Sequence, residues 1–395
     1  GAPPEHGPGK RGGKAKPAVI RVRTVMLGFA VLVLLALVAW LIPGWIQPNT
    51  PHDPQFLAQL ENGSTFVRLF LAPWYRWDTV HYMEIAQFGY SDLQNTIWPP
   101  MYPLLIRLGM FLGLHPFISA LAVSNLAAIG VFGLFYRMAN QRWGKDVARN
   151  GLIGIVFFPT AFFLLAGYSE SVFLFSSLAC LFAIQDKRWL QAGLLAAFAT
   201  LTRHQGILLV LPIAWEGIQT FRNSQSFNKV LPWIGSAVLP SLAMLSFGIY
   251  THFVLRAAWP WETVSAGWNQ HVGWPWEGIV GNIAAILQGA TIGAGGLWIN
   301  LGLTLLTMVL LAAGTRFLPA GQLIYAWALL LSVLVKVQND GLLGAMARYV
   351  LLIFPLFFVL GRALSNRVLR MVWCVISLSI QVVLLMGFYW WAYVP

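Results

Sequence analysis

Apolar runs long enough to cross a lipid bilayer recur along this chain of 395 residues, from Val25 to Tyr393. Inside a bilayer no water satisfies the backbone N–H and C=O groups, so a run of about 20 apolar residues folds as an α-helix. Only 10% of the residues are charged, whereas about a quarter would be charged in a soluble domain. The sequence therefore predicts an all-α polytopic membrane protein.

The apolar runs divide the chain into about eleven predicted transmembrane helices. The first run extends from Val25 to Ile46. The other predicted spans lie near residues 117–138, 150–168, 170–186, 189–202, 206–221, 231–255, 296–313, 319–337, 346–362 and 368–393. We expect a single transmembrane domain over residues 24–395, with external loops at 48–116 and 256–295.

Some apolar segments do not have the pattern of a full span. Residues 189–202 and 206–221 are short for a crossing, which favours tilted or broken helices. Residues 99–114 contain three prolines and Arg107, so we expect an amphipathic helix on the outer surface within the first external loop. The second external loop, 256–295, is rich in tryptophan and is predicted to face the substrate from the membrane interface.

Basic residues set the predicted orientation in the membrane. The chain has 25 Lys and Arg against 13 Asp and Glu, a net charge of +12. Most of the cations fall in residues 1–23 or in loops assigned to the inside, and most acids fall outside, as the positive-inside rule requires. The tail at 1–23 is therefore predicted to be cytoplasmic, and its Gly, Pro, Lys and Arg content predicts disorder. The charge is explained without a nucleic-acid partner.

A polar, aromatic stretch after the first span collects Asp78, His81 and Glu84 at the predicted outer interface. Ionisable residues at such a place in a membrane protein are usually functional. Asp78 has two interpretations. It caps a following helix, or it is a general base, half sheltered by Trp77 and Tyr82, that accepts a proton from a hydroxyl group. A helix here would place His81 and Tyr82 one turn from Asp78.

Glu170 lies at the predicted outer end of a later span, next to Ser169. A serine followed by an acid is typical of a helix start, where Ser169 would cap the helix and Glu170 would meet its positive dipole end. In the alternative, Glu170 faces the same external cavity as Asp78. Both interpretations stay open on the sequence alone.

Arg203 lies between two apolar segments on the predicted outer side, against the positive-inside bias. It either snorkels to the interface or binds an anion, for which phosphate is the natural candidate. His204 would assist such binding. Arg348, at the start of a late span, raises the same question.

Several short motifs together resemble the mannosyltransferase family of GPI-anchor assembly that adds the second mannose, the PIG-V type, and its prokaryotic relatives. In the family's order they are Arg76-Trp77-Asp78, Gly89-Tyr90, Pro100-Met101-Tyr102-Pro103, Tyr168-Ser169-Glu170-Ser171, Thr202-Arg203-His204-Gln205-Gly206 and Arg348-Tyr349. The chain departs from the family at Asp92, where Glu is usual, and at Trp98-Pro99, where two aromatics usually precede the proline motif. Both departures fall in the loop that would shape the acceptor site.

The resemblance implies a GT-C glycosyltransferase fold and an inverting transfer from a polyprenyl- or dolichyl-phosphate hexose, with mannose as the first choice. Asp78 would then be the catalytic residue, and Arg203, with Arg348 as second choice, would bind the lipid phosphate. The other predicted substrate-binding residues are His204, His81, Glu170, Tyr82 and Trp77. No cofactor or metal is implied as a requirement, although Asp78 with Glu170 would suit a divalent cation.

Two rival functions stay open. A lipid or sugar-lipid transporter without catalysis would also use an aromatic loop and apolar grooves, but a carrier tends to place its charges at mid-membrane. A GT-C transferase for another sugar hardly differs in sequence. The resemblance further implies a lipid-linked or glycan acceptor, and a small membrane partner subunit as in some relatives. It places the protein in the plasma membrane of a prokaryote or the endoplasmic reticulum of a eukaryote, with its site on the outer or luminal face.

Overall fold

The computed structural model describes residues 22–41, 54–224, 231–290 and 294–389. Nearly all of the predicted disordered tail at 1–23 lies outside these residues, as does the end of the first predicted span. The described helices are, in chain order, α1 (Val22–Leu41), α2 (Pro54–Glu61), α3 (Asp78–Phe88), α4 (Met101–Phe111), α5 (Pro116–Trp143), α6 (Lys145–Val156), α7 (Glu170–Gln185), α8 (Trp189–Thr202), α9 (Val210–Ser224), α10 (Leu231–Ile249), α11 (Pro260–Gly267), α12 (Glu277–Leu287), α13 (Ala294–Gly314), α14 (Ala320–Leu334), α15 (Met346–Leu352), α16 (Pro355–Ala363) and α17 (Arg367–Tyr389). The chain is therefore mainly helical, as predicted.

Five of the described helices are long and apolar enough to cross a membrane: α1, α5, α10 with its extension to Val254, α13 and α17. A sixth crossing is formed if α15 and α16, which meet at a bend of 88°, are taken together. The remaining predicted spans contain the shorter helices α6, α7, α8, α9 and α14. The chain is an integral membrane protein, and each predicted span contains a helix, although several of these helices are too short to cross a bilayer alone.

Two predicted continuous spans are broken at prolines. The span predicted at 150–168 stops short of Pro159, and a short 3-10 helix at Ala161–Leu164 replaces its second half. Proline has no N–H to donate and disfavours helical geometry in the residue before it, so the helix ends ahead of it. Pro355 likewise occupies the first turn of α16 and separates it from α15. The span predicted near 346–362 therefore consists of two helices that meet at a bend.

The all-α prediction misses a small antiparallel sheet beside the ends of α14 and α15. The strands are β1 (Gln270–Val272), in the predicted second external loop, and β2 (Lys336–Gln338), where the sequence predicts the last turn of a span. Gln270 pairs with Gln338 in the observed register. Strands of three residues are marginal alone, so the pairing depends on the helices around it. It ties the tryptophan-rich loop to the α14–α15 connection.

Helix α4 has the amphipathic character predicted for the first external loop. It buries Tyr102 and Ile106 and exposes Leu104, Leu108 and Phe111. Such a face is suited to the boundary between lipid and water.

Helices α6 and α16 pack at close range, and this contact fixes the position of the bent α15–α16 pair. A Cβ atom at Gly361 of α16 would lie 2.6 Å from the carbonyl oxygen of Val147 in α6. Only glycine allows this approach. The contact anchors α16, and α15 projects from it and carries Arg348 toward the first residues of α3.

Candidate functional site

The Arg76-Trp77-Asp78 motif forms a sharp turn at the start of α3. The buried Arg76 guanidinium donates three hydrogen bonds of 2.8 to 3.0 Å to backbone carbonyl oxygens, one of them that of Tyr389 at the end of α17. Trp77 has a φ of 47°, a conformation that costs energy for a large side chain and that is usual at functional sites. The motif thus fixes the direction in which the Asp78 side chain leaves the helix.

Asp78 does not cap α3, so the capping interpretation is wrong. Trp77 occupies the N-cap position and makes no side-chain capping bond. Arg348 instead donates a hydrogen bond to the Asp78 carboxylate, with 2.6 Å between Nη2 and Oδ2. The other carboxylate oxygen, Oδ1, accepts no hydrogen bond from any residue that the structure describes.

Two arginines and two carboxylates form one ion network. Arg348 donates from Nε to Oε1 of Glu170 as well as from Nη2 to Asp78. Arg203 donates from Nη1 to the same oxygen of Glu170, at 2.9 Å. Arg348 also lies 4.7 Å from the ring centre of Tyr168, a distance at which the ring face attracts a cation. Positive and negative charges balance within the network, which is the condition for burying them.

Glu170 lies under the site. Its side chain is 0% exposed, and its second oxygen, Oε2, has no hydrogen-bond partner among the described residues. Ser169 occupies the N-cap position of α7, and Glu170 lies in the first turn, as predicted, but the Ser169 side chain makes no capping hydrogen bond. Its hydroxyl group lies 2.8 Å from the Tyr82 hydroxyl and accepts a bond from Arg203 at 3.1 Å. Glu170 therefore holds both arginines in place, because its Oε1 accepts a hydrogen bond from each of them.

The Thr202-to-Gly206 motif turns the chain between α8 and α9. A Cβ atom at Gly206 would lie 2.3 Å from the backbone carbon of Ala199, so glycine is required for the close approach that positions Arg203.

Both ring nitrogens of His204 are buried and have no partner among the described residues. Burial, with the nearby positive charges of Lys336 and Arg203, lowers the pKa of His204 from 6.5 to about 3. Its imidazole is therefore neutral at physiological pH.

One cavity, here called the cationic cavity, lies above this network and has a volume of about 70 Å³. Its basic and polar walls are formed by Asp78, Tyr82, Thr202, Arg203, His204, Gln205, Lys336, Arg348 and Tyr349. Aromatic and apolar residues complete it, namely Ile97, Trp98, Pro99, Val264 and Trp268.

A second cavity of about 170 Å³, here called the amide cavity, lies on the other side of Asp78. Its lining residues are Trp77, Asp78, Phe163, Tyr168, Trp268, Gln270, Gln338, Gly344, Ala345, Arg348 and Tyr349. The side chains of Asp78 and Arg348 line both cavities, so their ion pair forms part of the wall between them. A group that bonds Asp78 can therefore approach from either cavity.

The predicted site residues are distributed unevenly around the two cavities. Tyr82 lines the cationic cavity and Trp77 the amide cavity. His81 lines neither. Its ring stacks on Trp98 with 4.3 Å between ring centres, and its Nδ1 lies 3.1 Å from the side-chain oxygen of Asn95.

Sequence reasoning missed Lys336 and the two glutamines of the sheet. Lys336 lies near the end of the span predicted at 319–337, on the predicted outer side, where basic residues are scarce. A basic residue on that side is the same signal that identified Arg203. Gln270 and Gln338 carry no such signal, because only the pairing of β1 with β2 brings them to the amide cavity.

No cluster of three His, Cys, Asp or Glu side chains that would suit a metal ion occurs in the described part of the chain. The pair considered for a divalent cation was Asp78 with Glu170. Arg348 bridges these two carboxylates, so a guanidinium group occupies the position between them.

A family model described as Mannosyltransferase (PIG-V) matches residues 49–267, which is more than half of the chain. GPI alpha-1,6-mannosyltransferase 2 of Rattus norvegicus is 30% identical over 190 residues, which cover 45% of this chain and 38% of that protein. GPI mannosyltransferase 2 of Schizosaccharomyces pombe is 26% identical over 172 residues, covering 42% and 37%. The similarity thus spans less than half the length of these relatives.

Among solved structures, the fold is similar to that of ArnT from Cupriavidus metallidurans, in a crystal structure bound to undecaprenyl phosphate. The alignment covers 88% of this chain and 61% of ArnT, with a TM-score of 0.50 and 13% sequence identity. At that identity the likeness concerns the fold alone, and it agrees with the predicted GT-C fold.

Proposed function

Because the chain belongs to the PIG-V mannosyltransferase family, we propose that it is an integral-membrane glycosyltransferase. Its donor is a polyprenyl- or dolichyl-phosphate hexose, with mannose as the first choice. Its acceptor is a hydroxyl group of a lipid-linked or glycan molecule. The observation that carries this proposal is the position of Asp78, at the junction of a cationic cavity and an amide cavity.

The reaction is a single displacement with inversion at the anomeric carbon. The acceptor oxygen forms a bond to that carbon while the bond from the carbon to the phosphate oxygen breaks, and its electron pair stays with the lipid phosphate. Asp78 accepts the hydroxyl proton through Oδ1, the oxygen that does not bond Arg348. Arg348 holds the carboxylate in one orientation, which is the positioning that such a transfer needs.

The donor phosphate is assigned to the cationic cavity. A lipid-phosphate sugar is a phosphodiester with one negative charge, and its departure creates a phosphomonoester with two. Cations placed at that oxygen stabilise the transition state more than the bound donor. Arg203 remains the first of the residues predicted from the sequence for this role and Arg348 the second, with neutral His204 beside them. Glu170 positions both arginines and does not contact the substrate.

The acceptor sugar is assigned to the amide cavity. Gln270 and Gln338 offer side-chain amides that both donate and accept hydrogen bonds, as sugar hydroxyl groups do. The ring of Trp77 provides a flat face beside them. The departure from the family at Trp98 lies on the donor side instead, because Trp98 lines the cationic cavity.

Orientation and partners follow from the same proposal. The N-terminus is cytoplasmic, and the site opens on the outer face of a prokaryotic plasma membrane or on the luminal face of the endoplasmic reticulum. A small membrane partner subunit, as expected from the resemblance, would join it there. A transporter without catalysis is the second candidate function, and a GT-C transferase for another sugar is the third.

The decisive experiment is transfer of labelled mannose from synthetic polyprenyl-phosphate mannose by the purified protein. Asp78→Asn keeps the size of the side chain and removes the base. We expect it to lower the transfer rate several hundredfold, on the scale of general-base removal, about 10² to 10⁴. The control is Asp146→Asn, an exposed acid at the start of α6, which should retain the wild-type rate.

Full activity of Asp78→Asn would show that another group is the base. If the wild type gives no product from mannose, glucose or pentose donors but moves labelled lipid across a vesicle membrane, the transporter function is correct instead. Product from a glucose or pentose donor alone would identify the third candidate.

A further inference from the structure

Lys336 reaches the cationic cavity from a strand of the small sheet. It begins β2 and pairs with Val272 of β1, and its side chain lines the cavity. Residues of a strand alternate between its two faces, and the middle residue, Val337, is buried in the protein. The sheet therefore directs Lys336 away from the core.

The four basic side chains of the cationic cavity differ in how their charge is compensated. Arg348 is paired with Asp78 and Glu170, and Arg203 is paired with Glu170. His204 is neutral, for the reason given above. Lys336 makes no ion pair and no side-chain hydrogen bond with any residue in the described ranges. It thus carries the uncompensated positive charge of this cavity.

An uncompensated cation in a cavity is the group most available to an anionic ligand. Arg203 and Arg348 keep unused N–H donors, but the carboxylates of Glu170 and Asp78 already offset their charge. The charge of the Lys336 ammonium group is not offset in this way, and its three donors are free for a phosphate. His204 also lines this cavity. Both of its ring nitrogens are buried without a partner among the described residues, which is unusual for buried polar atoms.

We propose that Lys336 is the principal cation for the donor phosphate, and that the paired arginines shape the site around it. This rests on the proposed function. In the displacement described above, the proton of the acceptor goes to Asp78, and Lys336 keeps all of its protons. Its part is electrostatic, since it lies beside the phosphate oxygen on which the second negative charge develops.

The test compares Lys336→Gln and Lys336→Arg with Lys145→Gln, an exposed lysine at the start of α6. A hydrogen bond to a charged group is worth about tenfold to a hundredfold in binding. We therefore expect Lys336→Gln to lower kcat/KM for the donor about tenfold to a hundredfold. Because the charge develops during the reaction, kcat should fall as well as KM rise. Lys336→Arg should recover most of the activity, and Lys145→Gln should match the wild type.

Binding of polyprenyl monophosphate, measured by quenching of tryptophan fluorescence without turnover, separates this inference from the proposed function. Weaker binding by Lys336→Gln, with recovery in Lys336→Arg, supports the role of Lys336 even if no transfer activity is found. Equal monophosphate affinity in the wild type and Lys336→Gln overturns it, whatever the transfer assay gives. A thermal unfolding midpoint of Lys336→Gln equal to that of Lys145→Gln excludes misfolding as the cause of a loss.

Discussion

The ion network depends most on Glu170, and Glu170→Gln should destabilise the fold strongly. The variant leaves two guanidinium groups with one carboxylate between them. The Glu170 side chain is 0% exposed and its partners Arg203 and Arg348 only 10% and 16%. Breaking a buried pair by removal of one partner costs about 3–5 kcal/mol, because the remaining charge stays in a medium of low dielectric constant. We expect a loss of about 3 kcal/mol at least.

A surface pair of the same chain provides the control. Asp146 and Arg149 lie 3.5 Å apart at an exposed helix end, with side chains 73% and 55% exposed. Such pairs contribute about 0–1 kcal/mol, since water and salt screen them. Unfolding free energies of Glu170→Gln, Asp146→Asn and the wild type would be measured by titration with sodium dodecyl sulfate in mixed micelles.

A double-mutant cycle shows whether the energy comes from the network itself. If Glu170 acts by neutralising the arginines, Arg203→Gln in the Glu170→Gln background should cost less than in the wild type, with a coupling of about 1 kcal/mol or more. Additive effects, or a loss for Glu170→Gln no larger than that for Asp146→Asn, would refute the role assigned to Glu170.

Two further predictions concern the turn after α8. Gly206→Ala should lower the unfolding free energy by about 1–3 kcal/mol and reduce transfer, because the added Cβ meets the backbone of Ala199; Gly133→Ala, whose Cβ would meet nothing within 4 Å, should be neutral or stabilising in the same denaturation assay. The pKa of His204 is lowered from 6.5 to about 3, so the unfolded state binds more protons between these values and stability is lost as pH falls below 6.5. Denaturation should therefore show a loss of up to about 2 kcal/mol between pH 8 and pH 5, absent in His204→Gln. An equal pH dependence in both proteins would contradict a neutral, buried His204.

Much of the fold follows from the sequence because membrane spans are a local property. The length of an apolar run and the neighbouring charges do not depend on distant residues. The order of short motifs also pointed to Asp78, Arg203 and Arg348, which the structure brings to one place. The predicted spans differ from the observed helices where hydropathy and proline act against each other. Pro159 and Pro355 interrupt the helix in segments whose hydropathy alone predicts a continuous span.

The sequence by itself determined an α-helical membrane protein with an acid after its first span and arginines downstream. Only the tertiary structure decided which charges meet. Arg348 bonds a carboxylate 270 residues away, and that contact depends on the packing of α15 against α13 and α7, which no local pattern encodes. The same holds for Lys336, whose direction is set by three residues of strand pairing. The sequence gives the type of each charge, but only the distances between side chains decide which cations are paired with a carboxylate and which are not.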